Sequence, residues 1–217
     1  MTFLSYAVAI AVTSLSFRFV PVLGSITGKG DGLTVAIVLT DLSLLAVVLS
    51  AIYCRRSLTF REYLALRPVR PRILLRWIVA LVFLFVLIIG IGDLAGISDG
   101  DRNAKLKAAC LDAYSPFLCL FLMTVMAPIT EELVFRGFLF QGLLKMPQGR
   151  FWAVAVSSLA FVLAHYSPSL DAGAWGLIQI ALLGTLQGLS RLKTGSVYPS
   201  MTLHGLSNMG GVALWFI

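Results

Sequence analysis

The chain contains two histidines, His165 and His204, and both stand in apolar runs. A third apolar run carries Glu131 and Glu132 side by side, with Arg136 four residues on. On a helix Glu132 and Arg136 share a face and can pair. Glu131 then points about 100° away, with no cation of its own on that segment. Ionisable groups at membrane depth are costly and normally face a protein interior or a wet cavity. A carboxylate there, beside one already paired, suits a proton acceptor. The plain alternative is a structural ion pair plus a helix-end glutamate. A lone buried histidine is more often hydrogen-bonded ballast than a catalyst. Two of two in apolar runs, with a glutamate in a third, is harder to dismiss. His204 and Asn208 are four apart and can reach one cavity from one helix face.

These residues need long helices to hold them. Of the 217 residues, 59% are hydrophobic and 12% charged, against roughly 25% charged in a soluble domain. Mean hydropathy is +0.92. Together with the long apolar runs, this predicts an all-α, polytopic transmembrane bundle of about seven spans, six to eight at the limits. Residues 1–217 read as a single membrane domain. The spans run over Phe3–Val22, Leu33–Tyr53, Trp77–Gly92, Tyr114–Leu144, Phe151–Tyr166, Ala174–Leu189 and Val197–Ile217. The first is read as a mature helix, since no charged region precedes it and Arg18 interrupts its end. Arg18 and Asp41 are candidates for an interhelical pair. The run Tyr114–Leu144 has 31 residues, more than the roughly 20 a crossing needs, so it must tilt, kink or extend. Pro128 is the expected kink, freeing the Thr124 carbonyl just before the two glutamates. Gly184 and Gly188 in the sixth span favour close helix packing. The stretch 93–112 reads as a polar loop. Cys54, Cys110 and Cys119 lack metal-ligand or disulfide-framework spacing and say little; two lie in or next to apolar segments, where a free thiol is normally packing.

A net charge of +7 raises nucleic acid as a partner. The basic residues sit mainly between apolar runs, which fits topology and anionic lipid better and excludes nucleic acid. The densest stretch, Arg55 to Arg76, has seven arginines and one acid, Glu62. Pro68 and Pro71 break any long helix there, and the interleaved apolar residues suit a short interfacial helix. With the N-terminus in the cytoplasm, inner loops carry eleven Lys and Arg and outer loops four. This favours N-in and C-out.

Depth supplies an independent check. At 1.5 Å per residue, Glu131 lies about 21 Å from Lys145, His165 about 21 Å from Phe151, Asn208 about 18 Å from Ser196 and His204 about 12 Å from Ser196. In a core of roughly 30 Å all four can meet between the midplane and the outer leaflet.

Glu131-Glu132-x-x-x-Arg136, Phe161-x-x-x-His165 and His204-x-x-x-Asn208, in that order and in apolar spans, resemble the motif set of the CAAX-protease and bacteriocin-processing superfamily. These are intramembrane endopeptidases related to the type II CAAX prenyl endopeptidase. The resemblance covers residues 114–217, and the N-terminal half matches nothing. It implies that Glu131 is the general base activating water, helped by His165, and that His204 and Asn208 hold the oxyanion. Glu132, Arg136 and Phe161 would be supporting, the last packing beneath His165. No cofactor is expected. Glu131, His165 and His204 have ligand chemistry that suits zinc, but the His-Glu-x-x-His pair of common zinc proteases is missing, and the metal-free form is favoured.

The reading implies a bacterial inner-membrane, multi-pass protein acting on a membrane-associated peptide or protein. Candidate substrates are a lipidated CAAX-like tail, a leader, or a C-terminal sorting tail. Two other classes compete. An ion- or proton-coupled transporter would show paired half-repeats with broken helices, and the sequence shows none. A catalytically idle immunity or scaffold relative would have lost motif residues, and all are present.

Overall fold

The computed structural model describes residues 29–53, 59–97, 102–166 and 173–216. The Phe3–Val22 span, Arg18 and Cys54 lie outside the described residues. Eight helical stretches follow in chain order: α1 Lys29–Tyr53, α2 Phe60–Tyr63, α3 Pro71–Ala95, α4 Arg102–Leu111, α5 Pro116–Leu143, α6 Gly149–His165, α7 Gly173–Thr194 and α8 Tyr198–Ala213. A single 3-10 turn, Leu214–Phe216, closes the described chain. No strand occurs among the described residues.

Three of these helices contain stretches long and apolar enough to cross a membrane: Asp31–Ser50, Pro71–Ala95 and Pro116–Leu143. Gly149–His165 is apolar but shorter. In α3 only 11% of the apolar window is buried in the protein. Leu75, Val79, Val82, Phe83, Val86 and Ile89 are exposed along it. In water that surface would be a large unmet apolar patch, whereas hydrocarbon satisfies it. The chain is an integral membrane protein with an all-helical bundle.

α3 begins earlier than its hydropathy suggests. Pro71 occupies its first turn, where the missing N–H costs nothing. Arg72 and Arg76 are therefore helical and exposed, not loop residues. The interfacial helix expected upstream is reduced to one turn, α2. Thr59 and Glu62 form a reciprocal capping box, but Ala65 turns the chain through φ +55°. Tyr63 and Leu64 do not lie on lipid. They plug the bundle, packing with Leu44, Val48, Leu133, Val134 and Phe138. The stretch 93–112 is likewise not all loop, since it holds α4. Cys110 at the end of α4 is joined to Cys119 in α5 as a disulfide. The nine-residue spacing across a turn gave no framework signal, and the pairing replaces the packing role expected for a thiol in an apolar segment such as Cys119.

The long helix α5 is irregular in the expected region, and in a more particular way. Leu122–Met126 is wound as a π-helix just before Pro128, and the Ala127 N–H bonds the Leu122 carbonyl five residues back. Pro128 has no N–H to offer either the carbonyl four back, Thr124, or five back, Met123. A second π stretch, Leu133–Leu139, follows the glutamates. It was not foreseen. Single π turns inside α-helices are frequent at functional sites.

Candidate active site

Three helices supply the candidate residues. α5 brings Glu131, Glu132 and Arg136, α6 brings His165, and α8 brings His204 and Asn208. Glu132 and Arg136 are both fully buried and pair through Oε1 and Nη1 at 2.8 Å. Arg136 has further anchors. Its Nη2 donates to the Gly184 carbonyl of α7 at 3.0 Å. Its guanidinium lies over Phe161, 4.5 Å from the ring centre. Such stacking is worth about 2 kcal/mol or more when desolvated. Gly184 is small because it must be. A Cβ there would come 3.3 Å from Arg136 Nη2 and 3.4 Å from Phe161.

Glu131 faces the other way and meets both histidines. Its Oε2 lies 3.6 Å from His165 Nε2 and 3.9 Å from His204 Nε2. One donor atom from each of the three residues lies within 4.8 Å of the other two. The histidines are oriented from behind. His165 Nδ1 is 2.9 Å from the Phe161 carbonyl. A carbonyl only accepts, so that nitrogen carries the proton, and Nε2 is the ring atom turned toward Glu131. Phe161 packs on the same ring with centroids 4.3 Å apart. His204 Nδ1 is 3.3 Å from Glu132 Oε1, and Phe161 meets its ring edge to face at 5.2 Å.

Asn208 stands one turn beyond His204. Its Nδ2 donates to the Met123 carbonyl at 2.8 Å. That is the carbonyl five residues before Pro128, so the amide satisfies a group the proline leaves without an N–H. Gly205 lies against the other one. A Cβ on Gly205 would sit 3.1 Å from the Thr124 carbonyl. The kink in α5 is thereby the seat of α8.

Other contributors escaped sequence reasoning. Asp41 of α1 accepts from Thr130 Oγ1 at 2.6 Å, which ties α1 to the residue before Glu131. The Asp41 partner is thus a hydroxyl on α5, while Arg18 lies outside the described residues. Arg191, counted above as an inner-loop charge, is buried in α7. Its Nε donates to the Arg136 carbonyl at 2.9 Å. The Phe140 N–H reaches back five residues to Phe135, and the helix returns to ordinary register over Phe140–Leu143. The Arg136 carbonyl sits at that seam, and Arg191 satisfies it. Spacing alone gave no signal for either residue, because each acts on backbone or hydroxyl groups far away in sequence.

The three donors fit a zinc ion by type and proximity, and a carboxylate behind one histidine is the usual outer partner of a metal-ligating ring. Residues 113–210 match the family model described as Type II CAAX prenyl endopeptidase Rce1-like. No curated protein and no solved structure shows a significant match. The match takes in α5, α6, α7 and most of α8, every helix that contributes to the cluster. Residues 113–210 are therefore similar to the Rce1-like type II CAAX prenyl endopeptidases, a match consistent with the CAAX-protease and bacteriocin-processing superfamily.

Proposed function

We propose that this protein is an intramembrane endopeptidase that hydrolyses a peptide bond of a membrane-associated substrate through a water activated by Glu131. The observation that carries the reading is the meeting of Glu131 with both histidines of the chain, from three helices, in one cluster where Glu131 and His204 are buried and His165 half-buried. In this reading His165 is neutral in the resting site, so Glu131 Oε2 and His165 Nε2 both accept. A water donating one hydrogen to each would present its lone pairs to a substrate carbonyl. Attack then passes a proton to Glu131, which can return it to the leaving amine. A doubly protonated His204 donates at both nitrogens, to Glu132 and to the developing oxyanion. Glu132, held by Arg136, is the anion that supports this state. Asn208 has a second amide hydrogen beyond the one given to Met123, and the proposal assigns it to the oxyanion as well.

A metal-dependent version has one observation in its favour, the proximity of Glu131, His165 and His204. These residues would hold a zinc ion, which when bound would acidify a water and polarise the substrate carbonyl. Glu132 would then orient His204 as a ligand.

The substrate classes are a lipidated CAAX-like tail, a leader and a C-terminal sorting tail. The topological reading is a bacterial inner-membrane protein with its N-terminus in the cytoplasm. The Lys and Arg distribution supports this. So does the Cys110–Cys119 disulfide, which falls at the end assigned to the outside, where disulfides persist. The test is purified protein in lipid nanodiscs with one peptide of each class, read by mass spectrometry, with E131Q and H165A as controls. Cleavage by wild type alone supports the proposal. Cleavage persisting in both variants removes it. A chelator that abolishes cleavage, with zinc restoring it, selects the metal-dependent version.

A further inference from the structure

A cavity of about 370 Å³ opens at the end of the bundle where α3 and α6 begin and α7 ends. Its polar lining includes Glu62, Arg67, Gln141, Arg150 and Arg191, with Leu192 among the apolar residues. Three guanidinium groups therefore share one space with one carboxylate. Thr59 engages that carboxylate through its N–H and its hydroxyl, and these bonds hold Glu62 below the usual carboxyl range. Arg67 and Arg150 are exposed and belong to the mouth. Arg191 is the floor and is only 3% exposed.

Arg191 is the informative residue. Nε is used by the Arg136 carbonyl and Nη2 by Gln141 Oε1 at 3.1 Å. Among the described residues no carboxylate pairs with it, and no protein group takes Nη1. Arg67 is near enough for its charge to act on Arg191. Like charges gathered around a buried guanidinium raise the energy of the empty site and favour an anion within it. Guanidinium forks match phosphate oxygens in particular, because they can give two parallel charge-assisted bonds. The position is also telling. Arg67 on the cavity wall stands four residues before Pro71, the start of the membrane-spanning helix α3, so a lipid phosphate at the membrane surface is a fitting occupant. Leu144 and Leu192 give the cavity an apolar wall.

We propose that this cavity is a binding site for a phosphate-bearing anion, held by Arg67, Arg150 and Arg191. The shared chemistry is a phosphate mono- or diester, from an anionic phospholipid headgroup or from soluble phosphate. Its occupant would brace Arg191, whose Nε holds the π-helical seam beside Arg136. The site is separate from the Glu131 cluster and does not depend on any reading of it.

The experiment uses the full chain in neutral detergent and follows its melting temperature on titration with phosphatidylglycerol, phosphatidylcholine or inorganic phosphate. Native mass spectrometry counts retained lipid. The R67Q/R150Q variant changes only the exposed mouth, so folding is kept. Wild type is expected to rise in melting temperature with phosphatidylglycerol and not with phosphatidylcholine, and the variant to bind at least about tenfold more weakly, the loss of roughly one charge-assisted contact. Protection by inorganic phosphate, equally lost in the variant, supports the site and assigns the soluble source. Equal protection by the two lipids, no protection by any anion, or protection unchanged in R67Q/R150Q overturns the proposal.

Discussion

His204 Nδ1 lies 3.3 Å from Glu132 Oε1, while the Nε2 of the same ring lies 3.9 Å from Glu131 Oε2. One imidazole thus touches both members of an adjacent glutamate pair, by opposite edges. The two carboxylates are made unequal by this arrangement. Glu132 also holds the Arg136 guanidinium, whereas Glu131 is turned to the two histidines.

The inequality predicts unequal stability effects from the same substitution. E132Q leaves a buried arginine without its counter-charge and should cost about 3–5 kcal/mol. E131Q keeps the Glu132–Arg136 pair and the side-chain volume, so it should cost clearly less than E132Q. Thermal unfolding of the two variants in one detergent measures the difference.

Arg136 should not tolerate lysine. Nη1 serves Glu132 and Nη2 serves Gly184, and an ammonium lacks the planar fork that does both while stacking on Phe161. R136K should lose about 2 kcal/mol or more, from the missing charge-assisted bond and the lost stacking. Chemical or thermal denaturation checks this, and a wild-type melting point would contradict it.

Gly184 makes room for that guanidinium. G184L should cost about 1–3 kcal/mol through overpacking and should also reduce cleavage, because the side chain would push Arg136 off Glu132. Melting temperature and cleavage rate should fall together. The control is T185L, on an exposed position of the same helix, which should leave both nearly unchanged.

The Asn208 bond to Met123 should depend on Pro128. N208A leaves a carbonyl short of its partner, a loss of about 1–3 kcal/mol if it stays unsatisfied. P128A supplies a backbone N–H to the same region of α5, so the N208A penalty should shrink in that background. A double-mutant cycle in stability should give a coupling of about 0.5–3 kcal/mol. Additive effects would show that the proline and the amide act independently.

Much of this was legible before any coordinates. Hydropathy located α1, α3 and α5 because a crossing helix needs a long apolar run. The i, i+4 spacing anticipated the Glu132–Arg136 pair because side chains one turn apart meet. Pro128 flagged irregularity because its missing N–H is a local fact. What stayed hidden is tertiary. Leu133–Leu139 is π-helical with no proline to announce it, and the Arg191 guanidinium that satisfies its seam comes from 55 residues downstream of Arg136. Tyr63 and Leu64 read as membrane-surface residues until Leu133, Val134 and Phe138 are seen to receive them. Arg191 looked like a topogenic loop charge because burial cannot be read from one residue at a helix end.

The most direct test of the central claim is the cleavage rate of E131Q against wild type, on whichever peptide the wild type cuts, in nanodiscs of the same lipid. General-base catalysis contributes about 10²–10⁴-fold, so E131Q should be slower by that factor while remaining folded, with a smaller loss of stability than E132Q. A folded E131Q that cuts the same bond at a rate close to wild type's would contradict the account.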